Sequence, residues 1–345
     1  MRWAVVLAGG VGSRFWPVST PARPKQLLPL AGAQPLLTES VERILPLVDP
    51  ARILVVTSRA LADAVRGALP RLPAANVLAE PFAASTAPAL AWATARAATA
   101  DAEASVLSLH ADWTVRDADA FRASAAAALT LTETRDVLVT VGTSPTRPET
   151  GYGYIVPGEA LGRTGRRIAR FVEKPDAAQA SALLETGALW NTGLFAWTAR
   201  RFRAEVEAHT PELFAGLLAL DRGDADAAYR AFRPVSVDVG VFERTDRGAV
   251  VQGDFGWDDV GSWAALRRVR AADEHGNVAV GDVHLVDARG CVVWSEEGTT
   301  VVAGLTDAVV VRARGITLVT TAQHAPELKR LLDRLPPDLA GERGA

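Results

Sequence analysis

The chain has 345 residues, 49% hydrophobic and 22% charged, an ordinary globular composition with room for one large domain and a small one, or for two domains. A net charge of −3 argues against a nucleic-acid partner, so any phosphate chemistry has to rest on a few local cations. The single cysteine, Cys291, excludes an internal disulfide and a cysteine-based zinc cluster and fits a reducing cytoplasm.

In chain order, Trp3–Leu7 reads as a buried strand. The apolar run ends at Gly9-Gly10, too short for a secretory leader, and no stretch reaches the roughly 20 apolar residues of a membrane span. Arg52–Thr57 reads as a strand, with a helix near Arg59–Leu69 behind it. Asn76–Glu80 is a short strand and Thr86–Ala100 an alanine-rich helix. Ser105–Leu109 is a strand ending at His110-Ala111-Asp112, Ala118–Thr132 a helix and Asp136–Val141 a strand. Five-residue apolar runs between helices predict a Rossmann-like α/β sheet, mixed but mostly parallel and sandwiched by helices. Beyond Pro145, strands are expected at Gly151–Val156, Arg166–Val172 and Gly193–Trp197, with helices at Ala177–Glu185, Arg200–His209 and Ala225–Phe232. Past Ala272 the segments become short and β-rich: Val278–Val286, Val292–Trp294, Thr300–Ala303, Ala308–Val311 and Thr317–Thr320. A helix near Ala325–Leu335 closes the pattern, and the residues from Leu339 onward read as frayed. The expected domains are 1–272 and 273–345, divided at the polar turn "DEHGN".

The strongest chemical signal is "LAGGVGSRFWP", Leu7 to Pro17, directly after the first strand. Gly9, Gly10 and Gly12 allow backbone N–H groups to turn toward an anion, and a following helix N-terminus would add positive partial charge. Arg14 adds a cation with bidentate reach to phosphate oxygens, and Lys25 in "RPKQ" a second one. A P-loop requires Lys-Ser or Lys-Thr after its last glycine, and Ser13-Arg14 stands here; a dinucleotide fingerprint requires glycine where Phe15 or Pro17 stands. Gly9-Gly10 alone would also suit an ordinary tight turn.

Farther along, Asp112 ends a predicted strand on the side where α/β sheets bind ligands, and Asp259 lies in a Gly/Trp-rich loop. Two carboxylates without a nearby histidine or cysteine ligand suit a hard ion such as Mg²⁺, although Asp112 alone would also serve as a helix N-cap.

"LAGGVGSRFWPVSTPARPKQLLPL" resembles the signature of the sugar nucleotidyltransferase family, and its Trp16-Pro17 and Pro24-Lys25-Gln26 resemble the mannose-1-phosphate guanylyltransferase branch. The likeness continues in order through "EPFAASTAPA" from Glu80, "LHADW" from Leu109, "PTRPETGYGYI" from Pro145, "FVEKP" from Phe171, "WNTGLF" from Trp190 and "GWDDVGSW" from Gly256. It implies guanylyl transfer from GTP to mannose 1-phosphate with release of pyrophosphate, in-line and without a covalent nucleophile, in a cytoplasmic enzyme. Arg14 and Lys25 would be catalytic. Leu7, Ala8, Gly9, Gly10, Gly12, Ser13, Glu80, Ser85, Thr86 and Ala111 would bind the nucleotide. Gly153, Glu173, Lys174 and Asn191 would bind the sugar phosphate, and Asp112 and Asp259 would hold Mg²⁺. Asp258, beside the second aspartate, is read as a variable position. Glu173-Lys174 also suits a solvated charge pair, and Trp190, Trp197, Trp257 and Trp263 are read as core.

Two segments depart from the family pattern. Ala84-Ser85 stand where the family carries Arg-Asn, and His110-Ala111-Asp112-Trp113 where it carries Pro-Ala-Asp-His. Another base or another manno-configured sugar phosphate, such as a heptose phosphate, is therefore an open alternative. A non-catalytic nucleotide-sugar-sensing subunit is the other, opposed by the complete set Arg14, Lys25, Asp112 and Asp259. The C-terminal part resembles the left-handed β-helix-like tail of relatives, and its exposed apolar strands suggest a homodimer. No fused isomerase domain follows, so a single-function form is expected.

Overall fold

The short apolar runs become strands whose side chains are shielded on both faces, as the middle of the first one illustrates: Ala4, Val5 and Val6 have no exposed surface. The computed structural model describes residues 1–10, 12–336 and 339, so all but the first of the residues expected to fray, Leu339 onward, lie outside the described residues. Two compact units divide the chain. Residues 1–9, 40–111 and 115–257 form the first; residues 10–39, 112–114 and 258 onward form the second. This division by compactness is a different cut from the one expected at 272/273, which follows the change in secondary-structure content.

The first unit is built on one nine-stranded sheet. Its strands are β1 (Arg2–Leu7), β2 (Ile53–Ser58), β3 (Val77–Glu80), β4 (Ser105–His110), β5 (Leu138–Thr143), β6 (Tyr154–Leu161), β7 (Gly165–Val172), β8 (Leu189–Thr198) and β9 (Gly248–Gln252). The order is β3-β2-β1-β4-β8-β5-β9-β7-β6, with β6 also pairing to β8. β3, β2, β1 and β4 run parallel, and β9 lies parallel to β5. Only β8 and β7 run against the rest. The sheet is thus mixed and mostly parallel, as expected. The helix Thr86–Ala100 buries Ala87, Ala89, Ala91, Ala93 and Ala97, and these small side chains let it sit close to the sheet.

Sheet register places three candidate residues together. Leu7 is opposite both Val56 and His110, and Ser58 is opposite Glu80. Leu7, Glu80 and His110 therefore stand at the carboxyl ends of parallel strands, the side on which open α/β sheets bind ligands. β8 is longer than the expected Gly193–Trp197. A register shift between Val141 and Gly142 and a left-handed Gly193 (φ 72°) form a bulge, and Asn191 lies just before it. The strand expected from Asp136 starts at Leu138, because Asp136 is the left-handed cap (φ 52°) of the preceding helix. The helix Phe214–Asp221 and the strand β9 were not predicted; "FAGLLALD" has no polar face from which to read a helical period.

In the second unit the β-rich residues form β10 (Val278–Val280), β11 (Val283–Val286), β12 (Val292–Ser295), β13 (Thr300–Ala303), β14 (Ala308–Ala313) and β15 (Ile316–Thr321). β10, β12 and β14 stack in parallel with Val278, Val292 and Val309 in register, and β11 stacks parallel on β13. Stacked parallel rungs are the repeating coil of a β-helix-like fold, and antiparallel β15 ends the stack. The opening segment belongs to this unit. Phe15, Trp16, Leu28 and Leu30 share a buried cluster with Val260, Trp263, Trp294 and Val309. The closing helix expected over Ala325–Leu335 is shorter, a 3₁₀ turn at Ala325–Glu327 and an α-helix at Leu328–Leu332. Among the described residues, no helix is long and apolar enough to cross a membrane.

Candidate active site

No α-helix directly follows the opening glycines, which corrects the expected dipole contribution. Single 3₁₀ turns at Ser13–Phe15 and Lys25–Leu27 stand there, because Pro17, Pro21, Pro24 and Pro29 interrupt any longer helix. Anion binding in this segment must come from backbone N–H groups and side-chain cations. Gly12 is required twice over. Its φ is +68°, and a Cβ on it would stand 2.2 Å from the Cβ of Lys25.

That approach seats Lys25, a lysine only 5% exposed. A buried ammonium is costly unless paired. Lys25 Nζ donates to Asp112 Oδ2 at 3.0 Å and to the backbone carbonyl of Asp259 at 2.7 Å. Arg14 is exposed. A methyl placed on Gly261 would meet Asp259 Oδ2 at 2.6 Å and Arg14 Nη1 at 3.3 Å, so that carboxylate and that guanidinium flank one point. Arg14, Lys25, Asp112 and Asp259, drawn from three segments of the chain, are thus gathered within the second unit.

The donor chemistry fits a divalent ion of the Mg²⁺ type. Lys25 already sits between an oxygen of Asp112 and one of Asp259, so this corner accepts positive charge. Among the described residues, no group of three or more His, Cys, Asp and Glu could hold a metal. The two aspartates would therefore need water and phosphate oxygens to complete a shell, a common arrangement for Mg²⁺.

The first unit carries the other candidates. Leu7, Ala8 and Ala111 are buried, and much of their backbone is committed to the sheet. Ala8 N donates to Val56 O, Ala111 N to Leu7 O, and Thr57 Oγ1 to Ala8 O. Gly9 is exposed, and a Cβ on it would lie 3.4 Å from Glu80 Oε2. Glu80 is buried, and Tyr229 Oη donates to its Oε1 at 2.9 Å. Burial pushes the Glu80 carboxyl up to about 7, with the tyrosine bond opposing the shift. Burial and the neighbouring Glu80 also push the Tyr229 phenol up. Ser85 has φ 72° and ψ −175°, a region that is essentially glycine's alone. The hydroxyl of Thr86 accepts from Val237 N at 2.8 Å, and Ala87 N donates to Val235 O.

Gly153, Glu173 and Asn191 converge. A Cβ on Gly153 would lie 2.6 Å from Glu173 Oε2 and 3.3 Å from Asn191 Cβ. Lys174 (φ 48°) donates to Glu173 Oε1 at 2.5 Å, so its charge has a counter-ion in this structure. Asn191 Oδ1 accepts from Thr140 Oγ1 at 2.8 Å, and its Nδ2 donates to Asp238 Oδ1 at 2.8 Å. Asp238, which the sequence reading missed, opens a π-helical turn, Asp238–Phe242. Burial first and the Glu173 carboxylate second push its carboxyl up to about 7, against a backbone hydrogen bond, Lys174 and Asn191. The signal that could have found it is a lone acid inside the apolar run "VSVDVGVF". His110 was noted only as a departure, yet its ring packs where a Cβ on Gly193 would stand, 2.8 Å from Cδ2. Of the four tryptophans read as core, Trp190, Trp197 and Trp263 are buried, and Trp257 is partly exposed.

Two cations set against two aspartates within the second unit suit an enzyme that handles phosphate groups. Residues 3–276 match the nucleotidyl transferase family, and the chain belongs to that family. It is 36% identical to the alginate biosynthesis protein AlgA of Pseudomonas syringae pv. tomato, over 96% of this chain and 71% of that protein. It is 34% identical to a mannose-1-phosphate guanylyltransferase of Klebsiella pneumoniae, over 97% of this chain and 74% of that one. A crystal structure of mannose-1-phosphate geranyltransferase from Thermus thermophilus superposes with a TM-score of 0.90 at 37% identity, covering 96% of this chain and 98% of that one.

Proposed function

We propose that the enzyme transfers a guanylyl group from GTP to α-D-mannose 1-phosphate, giving GDP-mannose and pyrophosphate. The observation that carries this reading is the gathering of Arg14, Lys25, Asp112 and Asp259. Relatives with mannose-1-phosphate guanylyltransferase in their names support the choice of base and sugar.

An oxygen of the sugar phosphate attacks the α-phosphorus in line. The new P–O bond forms as the bond to the bridging oxygen of the departing pyrophosphate breaks. Both reactants are polyanions, so the protein's task is alignment and charge compensation. Lys25, buried and held by two oxygens, is pre-set and loses little freedom on meeting a phosphate. Arg14, exposed, contributes a fork for phosphate oxygens. A divalent ion held by Asp112 and Asp259 would, when bound, neutralise phosphate charge and orient the reacting oxygens.

Recognition falls to the first unit. Guanine offers two N–H donors on one edge, and an ionised carboxylate is an acceptor on both oxygens. Glu80, close to neutrality in its titration, would ionise as it accepts them. Glu173 and Asn191 suit sugar hydroxyls, Gly153 permits close approach, and Lys174 can exchange Glu173 for the sugar phosphate. Ser85 in place of an amide favours a second reading, the same reaction with another base or manno-configured sugar.

The deciding assay measures pyrophosphate released from each of the four nucleoside triphosphates with mannose, glucose and heptose 1-phosphates, with and without Mg²⁺. GTP with mannose 1-phosphate and Mg²⁺ should be fastest. Preference for another pair would install the second reading, and no release from any pair would remove both.

A further inference from the structure

The loop that presents Asp259 follows a path its own residues resist. Val260 has φ +46°, a conformation strained for any β-branched residue, and it is fully buried in the cluster of Phe15, Trp16 and Trp263. Something must hold that turn. Asp258 Oδ1 accepts from Val260 N at 2.8 Å, a side-chain bond two residues forward that closes the turn. Arg268, from the short helix Leu266–Val269, donates to both carboxylate oxygens of Asp258, through Nε at 2.5 Å and Nη2 at 3.0 Å. A two-point guanidinium–carboxylate pair fixes orientation as well as distance. The turn's output is Asp259, whose carbonyl meets Lys25 Nζ at 2.7 Å and whose carboxylate stands beside Gly261 with Arg14 on the same point.

We propose that Asp258 and Arg268 form a positioning pair. They hold Val260 in its left-handed turn and so fix both the carbonyl and the carboxylate of Asp259. Neither residue meets the reacting atoms; both act through Asp259 and Lys25. Asp258, read from the sequence as a variable position, is given a specific task by this turn. The inference rests on the assignment of Lys25 and Asp259 to the reaction, and one of its readouts does not.

The test uses the full chain with Asp258→Ala, Arg268→Ala and the double variant. Misplacement of a catalytic group by about 1 Å costs on the order of 10²-fold, so kcat should fall by about 10-fold to 10²-fold in each single variant, with the KM for nucleotide little changed. Because both act as one unit, the double variant should be no slower than the slower single. Arg268→Lys, which keeps the charge but not the fork, should recover only part of the rate. Hydrogen exchange at the Val260 amide should quicken in Asp258→Ala and in Arg268→Ala alike, a readout independent of turnover. A double variant whose loss is the product of the two single losses would overturn the proposal. So would Val260 exchange that Arg268→Ala leaves unchanged, or a lowered melting temperature with normal kcat. If the native enzyme releases pyrophosphate from no substrate pair, the proposed reaction fails, and Val260 exchange still decides whether the pair holds the turn.

Discussion

Two buried acids of the first unit and three aspartates of the second are held in opposite ways. In the second unit Asp112 faces the ammonium of Lys25, Asp258 faces the guanidinium of Arg268, and Asp259 shares its corner with Arg14. In the first unit Glu80 is buried against a neutral phenol, and Asp238 against a neutral amide with a second carboxylate nearby. Burial without a bonded cation raises both acids to about 7. Full charges held by counter-charges suit phosphate groups. Acids poised near neutrality suit uncharged partners such as base edges and sugar hydroxyls, where one oxygen can accept or donate as the partner demands.

The sharpest way to break this contrast is Lys25→Ala. Loss of one well-placed cation should lower kcat in the pyrophosphate assay on the order of 10²-fold or more. Near-normal turnover would remove the charge-handling role from the second unit. Gly12→Ala comes next. Its methyl collides with the Lys25 Cβ in a backbone region unfavourable to alanine. Denaturant unfolding should show a loss of about 2 kcal/mol, with turnover falling alongside as Lys25 shifts.

A test of the first unit is the pH dependence of stability. The Glu80 carboxyl titrates at about 7 when folded against an ordinary 4.5, so the folded state keeps a proton that the unfolded chain has released. Its contribution is complete below about pH 4.5 and is lost as the pH rises through 7. Wild type should therefore lose up to about 3 kcal/mol relative to Glu80→Gln between pH 5 and pH 8, read from melting curves. Parallel curves for the two proteins would refute the neutral-acid account of this unit. The smallest effect belongs to Ser85→Gly. Glycine adopts φ 72° without strain, so the variant should be stabilised by about 1 kcal/mol in denaturant unfolding, net of glycine's greater freedom in the unfolded chain.

Much of this could be read without coordinates, and the misses have physical causes. Ala177–Glu185 and Thr86–Ala100 form helices with the bounds read from sequence, since both are rich in alanine and preceded by turn residues. Phe214–Asp221 was missed because a helix without a polar face leaves no period to detect. A helix after the glycines does not form because Pro17, Pro21, Pro24 and Pro29 interrupt the segment, which leaves single 3₁₀ turns. Asp238 escaped notice because a single acid in an apolar run takes its meaning only from Asn191 and Glu173, which lie far away in sequence.

By itself the sequence determined the alternation of buried strands and helices, the glycine-and-cation opening, and the identity of the chemical groups, because these depend on neighbours a few residues apart. Only the tertiary structure decided how those groups pair. Phe15 and Trp16 place the opening segment in the same compact unit as the β-rich rungs, Lys25 is held between Asp112 and Asp259, and Arg268 braces Asp258. Those outcomes come from burial and counter-charge between distant segments, which no local window of residues contains.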